Sequence, residues 1–189
     1  MQKKICMLGG FAVGKTSLVR RFVQSIFSEN YLTTVGVKID KKSVALPDKT
    51  VDLILWDLAG EDDIGSFRVS YVRGAAGLVL VVDGTRAATL SVALTLRERA
   101  EAEFGAMPFV LLFNKSDLTD RWAISDSEID ELRQRGWQIY LTSALSGNML
   151  MMRFASLLQW SLNRPCLDCQ EKSEAGFTIS STMSTLSHI

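Results

Sequence analysis

G-G-F-A-V-G-K-T, Gly9 to Thr16, follows the short strand-like run K-K-I-C-M-L and leads straight into residues at helical spacing. A loop that carries Gly9, four residues, Gly14, Lys15 and Thr16 into a helix turns several backbone N–H groups inward, where the helix N-terminus adds positive potential. That is a nest for phosphates. Gly14 lets the backbone approach an anion closely, Lys15 supplies a point charge for the outer phosphates, and the Thr16 hydroxyl can hold Mg²⁺. The plainer alternative, a glycine-rich turn with a solvated lysine, requires neither the strand before nor the helix after.

The rest of the chain is read outward from that loop. Its 189 residues, 47% hydrophobic and 22% charged, suit one domain with a substantial core. Twenty-one basic residues balance twenty-one acidic ones, so no overall field argues for nucleic acid or an anionic membrane. Three cysteines cannot make a disulfide framework, no signal peptide precedes the first strand, and no run approaches the roughly 18 apolar residues of a membrane span. The expected setting is reducing and cytoplasmic.

Strand and helix patterns alternate along the chain. Leu18, Val19, Phe22, Val23 and Ile26 fall at helical spacing after the loop. Val37 and Ile39, then Val51, Leu53 and Leu55, alternate as half-buried strands do, flanking the turn signal P-D-K-T. G-L-V-L-V-V, P-F-V-L-L-F and W-Q-I-Y-L are continuously apolar, as parallel strands covered on both faces should be. Helical stretches lie between them, at Ser91 to Phe104 and Ser127 to Arg135, and after them, where Leu150, Phe154, Leu157, Leu158 and Ser161 share one face. The fold class is therefore α/β: a mixed, mainly parallel sheet with one antiparallel edge strand. The body is expected to span residues 1–164, because Pro165 stops the last helix. Residues 165–189 read as a Ser/Thr-rich tail without period.

Three further stretches bear on which nucleotide is bound. N-K-S-D, Asn114 to Asp117, stands at the C-terminal end of a buried strand, where open parallel sheets place ligands. Guanine offers two neighbouring donors, its ring N–H and its exocyclic amine, and the Asp117 carboxylate can accept both. Adenine lacks that ring proton. T-S-A, Thr142 to Ala144, ends the next strand at the same edge and could lend an amide to the guanine carbonyl. In W-D-L-A-G, Trp56 to Gly60, Asp57 can hold Mg²⁺ through water and Gly60 can bring its N–H to a terminal phosphate. Thr34, in Y-L-T-T-V-G, offers a second hydroxyl for the metal.

These motifs, in this order, resemble the Ras superfamily of small GTPases over about residues 3 to 163, and S-Y-V-R-G-A-A-G at 70 to 77 is especially similar to the Rab branch. The resemblance implies a P-loop G domain with a six-stranded sheet and helices on both faces, binding GTP or GDP with Mg²⁺. It implies phosphate-facing amides from Ala12, Val13, Gly14, Lys15, Thr16 and Ser17, with Mg²⁺ on Thr16, Thr34 and Asp57. Phe27 would stack edge-wise on the base and Tyr31 would cover the phosphates. Lys115 would lay its stem along the base beside Asn114 and Asp117, with Ser143, Ala144 and Leu145 on the far side. Segments of about 28–38 and 57–73 would be switches for effector, exchange-factor and activating proteins.

Some positions depart from the family pattern. Glu61, followed by Asp62 and Asp63, stands where the family usually places a water-orienting glutamine. Lys15, Thr34 and Glu61 are then the catalytic candidates, with Glu61 able to orient water only by accepting. Phe11 occupies the loop position nearest the terminal phosphate, and Leu145 replaces a frequent lysine. The end L-S-H-I carries no prenyl signal, and C-L-D-C at 166–169 has only His188 nearby as a further metal ligand. No arginine stands out as an internal finger. Two other readings stay open: a nucleotide-dependent binding module that scarcely hydrolyses GTP, and a P-loop ATPase or nucleoside kinase, for which N-K-S-D would have no purpose.

Overall fold

The computed structural model describes residues 1–27, 33–47, 49–60 and 67–146. Strand β1 (Gln2–Leu8) lies parallel between β3 (Thr50–Leu58) and β4 (Gly77–Asp83). On one flank β2 (Val37–Ala45) folds back on β3 as the antiparallel edge strand. On the other, β5 (Phe109–Asn114) and β6 (Ile139–Leu141) continue the parallel set. The six strands run in the order β2-β3-β1-β4-β5-β6, which is the mixed, mainly parallel sheet the apolar pattern predicts.

Strand alternation distributes β1 between two cores. Ile5 and Met7 join the helix α1 (Lys15–Gln24) residues Leu18, Val19 and Phe22 on one face. Cys6 and Leu8 join Ala93, Leu96 and Ala100 of α2 (Ala88–Phe104) and Ile129 and Leu132 of α3 (Asp126–Gln134) on the other. Because both faces are covered, every residue of β4 and β5 is buried. Each buried Leu, Val or Ile contributes about 1.5–3 kcal/mol relative to exposure. Burial pushes the Cys6 thiol up to about 12 against a small opposing effect of Lys4, so it serves as packing rather than as a nucleophile.

Local signals account for the element ends. Leu46 and Lys49 exchange backbone hydrogen bonds of 2.8 and 3.3 Å around the hairpin turn. Ahead of α3 the Ser125 hydroxyl accepts the Glu128 amide at 3.3 Å, while Glu128 Oε2 accepts the Ser125 amide at 2.9 Å, a reciprocal capping box. Replacing Ser125 with Ala is expected to lower the unfolding free energy by about 1 kcal/mol, read as a shift of the urea midpoint with unchanged slope.

Three expectations need correction. Ile39 faces solvent at 52% exposure; the half-buried face of β2 carries Asp40, Lys42 and Val44 instead. That face is the one α1 covers, with Lys42 Nζ donating to the Val23 carbonyl at 3.1 Å and lying 6.0 Å from the Phe22 ring. Helix α2 begins at Ala88, three residues before the predicted start. Strand β6 uses only three residues of W-Q-I-Y-L: Trp137 packs edge-on against Phe109 at 5.1 Å rather than continuing the ladder. The predicted final helix and the 165–189 tail lie outside the described residues.

Candidate functional site

The parallel strands all deliver their C-terminal ends to one edge, pairing Met7 with Asp57, Leu8 with Leu80 and Asp83 with Asn114. The loops that follow therefore converge. After β1, Gly14 caps α1 with φ 98° and no side-chain cap, leaving the first-turn amides without a helical acceptor. A Cβ on Gly14 would overlap the Asn114 amide nitrogen, so the close packing of phosphate loop and N-K-S-D loop needs glycine. Lys15, only 5% exposed, places its ammonium 2.8 Å from the Gly9 carbonyl and 2.9 Å from that of Gly10. Gly60 sits against the same place: a Cβ there would run into the Gly10 carbonyl and the Lys15 ammonium. Phe11, Ala12, Gly14, Lys15, Thr16, Ser17, Thr34 and Gly60 line one cavity, which Arg20, Thr33 and Leu58 complete.

Behind its Thr16 and Thr34 wall three oxygens meet. The Thr16 hydroxyl is 2.7 Å from that of Thr34 and donates to Asp57 Oδ2 at 2.5 Å. Asp57 is fully buried, and its Oδ1 accepts no hydrogen bond from the described residues. Burial raises its pKa, with the Thr16 hydroxyl and the Lys15 charge pulling the other way. An orphaned carboxylate oxygen beside two hydroxyls is an all-oxygen donor set, which fits a hard cation such as Mg²⁺ and would relieve the burial penalty. Among the described residues no three His, Cys, Asp or Glu side chains cluster as a metal site of another kind.

Beside the phosphate loop lies a second cavity of about 440 Å³, lined by Gly14, Ser17, Phe27, Asn114, Lys115, Asp117, Leu118, Ala144 and Leu145. The Asn114 side-chain amide donates to the Val13 carbonyl at 2.9 Å, so the two cavities share a wall. Ser116 donates its amide to the Thr142 carbonyl at 3.0 Å, tying N-K-S-D to T-S-A. The buried Ser143 hydroxyl accepts the Ser146 amide at 3.2 Å, and Ser143 is not among the residues lining the cavity. Leu118 lines it and was not among the expected residues. Tyr31 and Glu61 lie outside the described residues, as do Asp62, Asp63, Cys166, Cys169 and His188.

Sequence reading passed over one cluster. Asp83, the last residue of β4, is 1% exposed and saturated with donors. Its Oδ1 takes the Thr85 amide at 3.0 Å and the Thr85 hydroxyl at 2.6 Å; its Oδ2 takes Arg86 Nε at 2.9 Å and Lys115 Nζ at 2.6 Å. Burial alone would raise the Asp83 pKa, but Lys115, Thr85 and Arg86 together hold it below the usual carboxylate range. The sign follows: this network stabilises the fold in full above the unfolded carboxylate pKa of about 4 and fades as pH falls through the lowered folded value. The available signal was an acidic residue ending a fully apolar parallel strand at the ligand edge.

The comparisons with known proteins fit this geometry. The model of the Ras family matches residues 4–163. The chain belongs to the Ras family. Among the relatives of this small GTPase are Ras-related protein Rab-7L1 of Rattus norvegicus, 37% identical over 144 residues that cover 71% of this chain and 70% of the relative. Ras-related protein RABA1h of Arabidopsis thaliana is 32% identical over 157 residues, covering 82% and 72%. Ras-related protein Rab-10 of Caenorhabditis elegans is 32% identical over 143 residues, covering 75% and 71%. The chain is thus Rab-like, and guanine-nucleotide binding comes with the family.

This Ras-family chain also presents an apolar groove of about 340 Å³ between its two expected switch segments, lined by Val35, Gly36, Leu58, Ala59, Phe67, Arg68 and Tyr71. Val35 is 91% exposed at its rim. Among the described residues no helix is long and apolar enough to cross a membrane.

Proposed function

We propose that the chain binds GTP and GDP with Mg²⁺, hydrolyses GTP slowly, and signals to partner proteins by which nucleotide it holds. The observation that carries this reading is the convergence of a buried Lys15 ammonium with the Thr16–Thr34–Asp57 oxygen cluster. Thr16, Thr34 and Asp57 would hold Mg²⁺, which when bound neutralises charge on the outer phosphates. Lys15 and the loop amides stabilise charge on the transferring phosphoryl group, Gly60, packed against Lys15, brings its N–H to a terminal phosphate, and Asp117 accepts both guanine donors. Thr34 and Gly60 flank the groove between the switch segments, so ordering them by the nucleotide would reshape the surface a partner meets.

A second reading, a binding module with negligible hydrolysis, has one observation in its favour. Phe11 stands 45% exposed on the rim of the phosphate cavity, where a bulky ring crowds any water approaching in line. By the family pattern Glu61 would add to the same effect, because an ionised carboxylate has no donor to offer a phosphate and would bring charge to an anionic centre.

The test is identification of the nucleotide carried by the purified chain, followed by single-turnover hydrolysis of wild type, Glu61→Gln and Phe11→Gly. Guanine nucleotide is expected, with a wild-type rate at or below about 10⁻⁴ to 10⁻² per second. Both variants should be faster. A wild type that is fast unaided and is slowed by Glu61→Gln would make the carboxylate a working base and overturn this account of the site.

A further inference from the structure

Among the described residues three non-glycine residues adopt positive φ: Ala12 at 56°, Lys115 at 65° and Ser25 at 58°. Ser25 is the C-cap of α1, where left-handed backbone is ordinary. The other two stand in the phosphate loop and the N-K-S-D loop, in a conformation that a Cβ disfavours and that persists only where surroundings over-determine it. Both are anchored to the same carboxylate. Lys115 donates its ammonium to Asp83 Oδ2 at 2.6 Å. The Arg86 guanidinium uses Nε on that oxygen, at 2.9 Å, and Nη2 on the Phe11 carbonyl, at 2.6 Å, immediately before Ala12.

The peptide between Phe11 and Ala12 is trans. In a trans peptide the carbonyl and the following N–H point in opposite directions. Arg86, by drawing the Phe11 carbonyl outward, turns the Ala12 N–H the other way. We propose that Arg86 is a positioning residue, braced on Asp83, that aims the Ala12 amide into the phosphate cavity and holds the loop for nucleotide. This rests on the proposed function and extends it: the chain carries its own clamp between the loop that takes phosphate and the loop that takes base. Arginine suits the task because its planar fork reaches two acceptors at fixed geometry, whereas lysine offers a single point charge. Gly84 keeps the anchor rigid: its amide donates to the Asn114 carbonyl at 2.9 Å, and its own carbonyl accepts the Ala123 amide at 2.8 Å.

The experiment follows release of a fluorescent GDP analogue from the full chain with Mg²⁺ in excess, together with the GDP-over-ADP preference. Arg86→Ala should release the analogue at least about tenfold faster while leaving the base preference unchanged, and Arg86→Lys should fall between it and wild type. Adding Ala12→Gly to Arg86→Ala should recover much of the loss, because glycine adopts positive φ without the Cβ penalty. A general loosening of the fold would instead be worsened by a second, more flexible residue. Release from Arg86→Ala within twofold of wild type, or a double variant faster than the single one, overturns the inference. Should Arg86→Ala not fold, Arg86→Lys against Arg86→Lys with Ala12→Gly makes the same comparison. A wild type that takes up no guanine nucleotide would sink the proposed function and this inference together; wild-type uptake with unchanged release sinks the inference alone.

Discussion

Replacing Asp117 with Ala is expected to erase the preference for guanine while leaving the fold intact. Asp117 is exposed at the edge of the 440 Å³ cavity, and the backbone that presents it is fixed on both sides, by the Ser116 amide on Thr142 and the Leu118 amide on Lys115. A site built to satisfy two adjacent donors leaves its carboxylate unpaired against adenine, and such sites reject the wrong ligand by about 10⁴-fold. Without the carboxylate, shape, the apolar walls of Phe27, Leu118 and Leu145, and a single amide of T-S-A toward the guanine carbonyl remain to discriminate. The preference should then collapse to within about tenfold. Competition of GDP and ADP against a fluorescent GDP analogue, with Mg²⁺ present, measures both values. Comparable GDP and ADP affinities in the wild type would end the guanine reading of N-K-S-D.

The parts of the fold legible in the sequence are those where one local pattern has one structural meaning. Continuous apolar runs marked β4 and β5 because a run of five or six such residues is too short for a buried helix and suits a strand covered on both faces. The glycine loop between strand and helix was legible because Gly14 and Lys15 leave few other uses for that spacing. Ile39 misled for the opposite reason. Alternation shows that a strand has two faces, but on an edge strand with mixed residues it does not say which face a helix will cover. Trp137 misled because apolar character marks contact with the core, and a half-buried ring packed on Phe109 meets that need without joining the ladder.

The candidate site divides in the same way. Lys15, Thr16, Thr34, Asp57, Asn114 and Asp117 belong to short motifs whose chemistry can be reasoned from type and spacing. Asp83 and Arg86 belong to none. Their significance arises from contacts across 32 positions to Lys115 and 75 to Phe11, distances that no local pattern reports. Ser143 shows a limit of motif reading: T-S-A ends its strand at the base edge, yet of this stretch only Ala144 and the following Leu145 line the cavity.

Lys15→Ala should weaken GDP binding about 10²- to 10³-fold, through the phosphates rather than the base. The ammonium is buried at the cavity and held by the Gly9 and Gly10 carbonyls, so it is already oriented before an anion arrives. Truncating one partner of a buried, charge-assisted contact costs about 2–5 kcal/mol, which at 1.4 kcal/mol per decade spans this range. Two comparisons separate this charge from its surroundings. Lys15→Arg keeps the charge but brings a broader, planar head group into a space where even a methyl on Gly60 would collide with the ammonium, so it should rescue little. The GDP-over-ADP preference of Lys15→Ala should stay near wild type, since the Asp117 side is untouched. Titration of the fluorescent analogue into the two variants, with ADP competition, reads all three quantities. Loss of base preference in Lys15→Ala, or full rescue by arginine, would mean that Lys15 holds the shape of the loop and does not act as the phosphate's point charge.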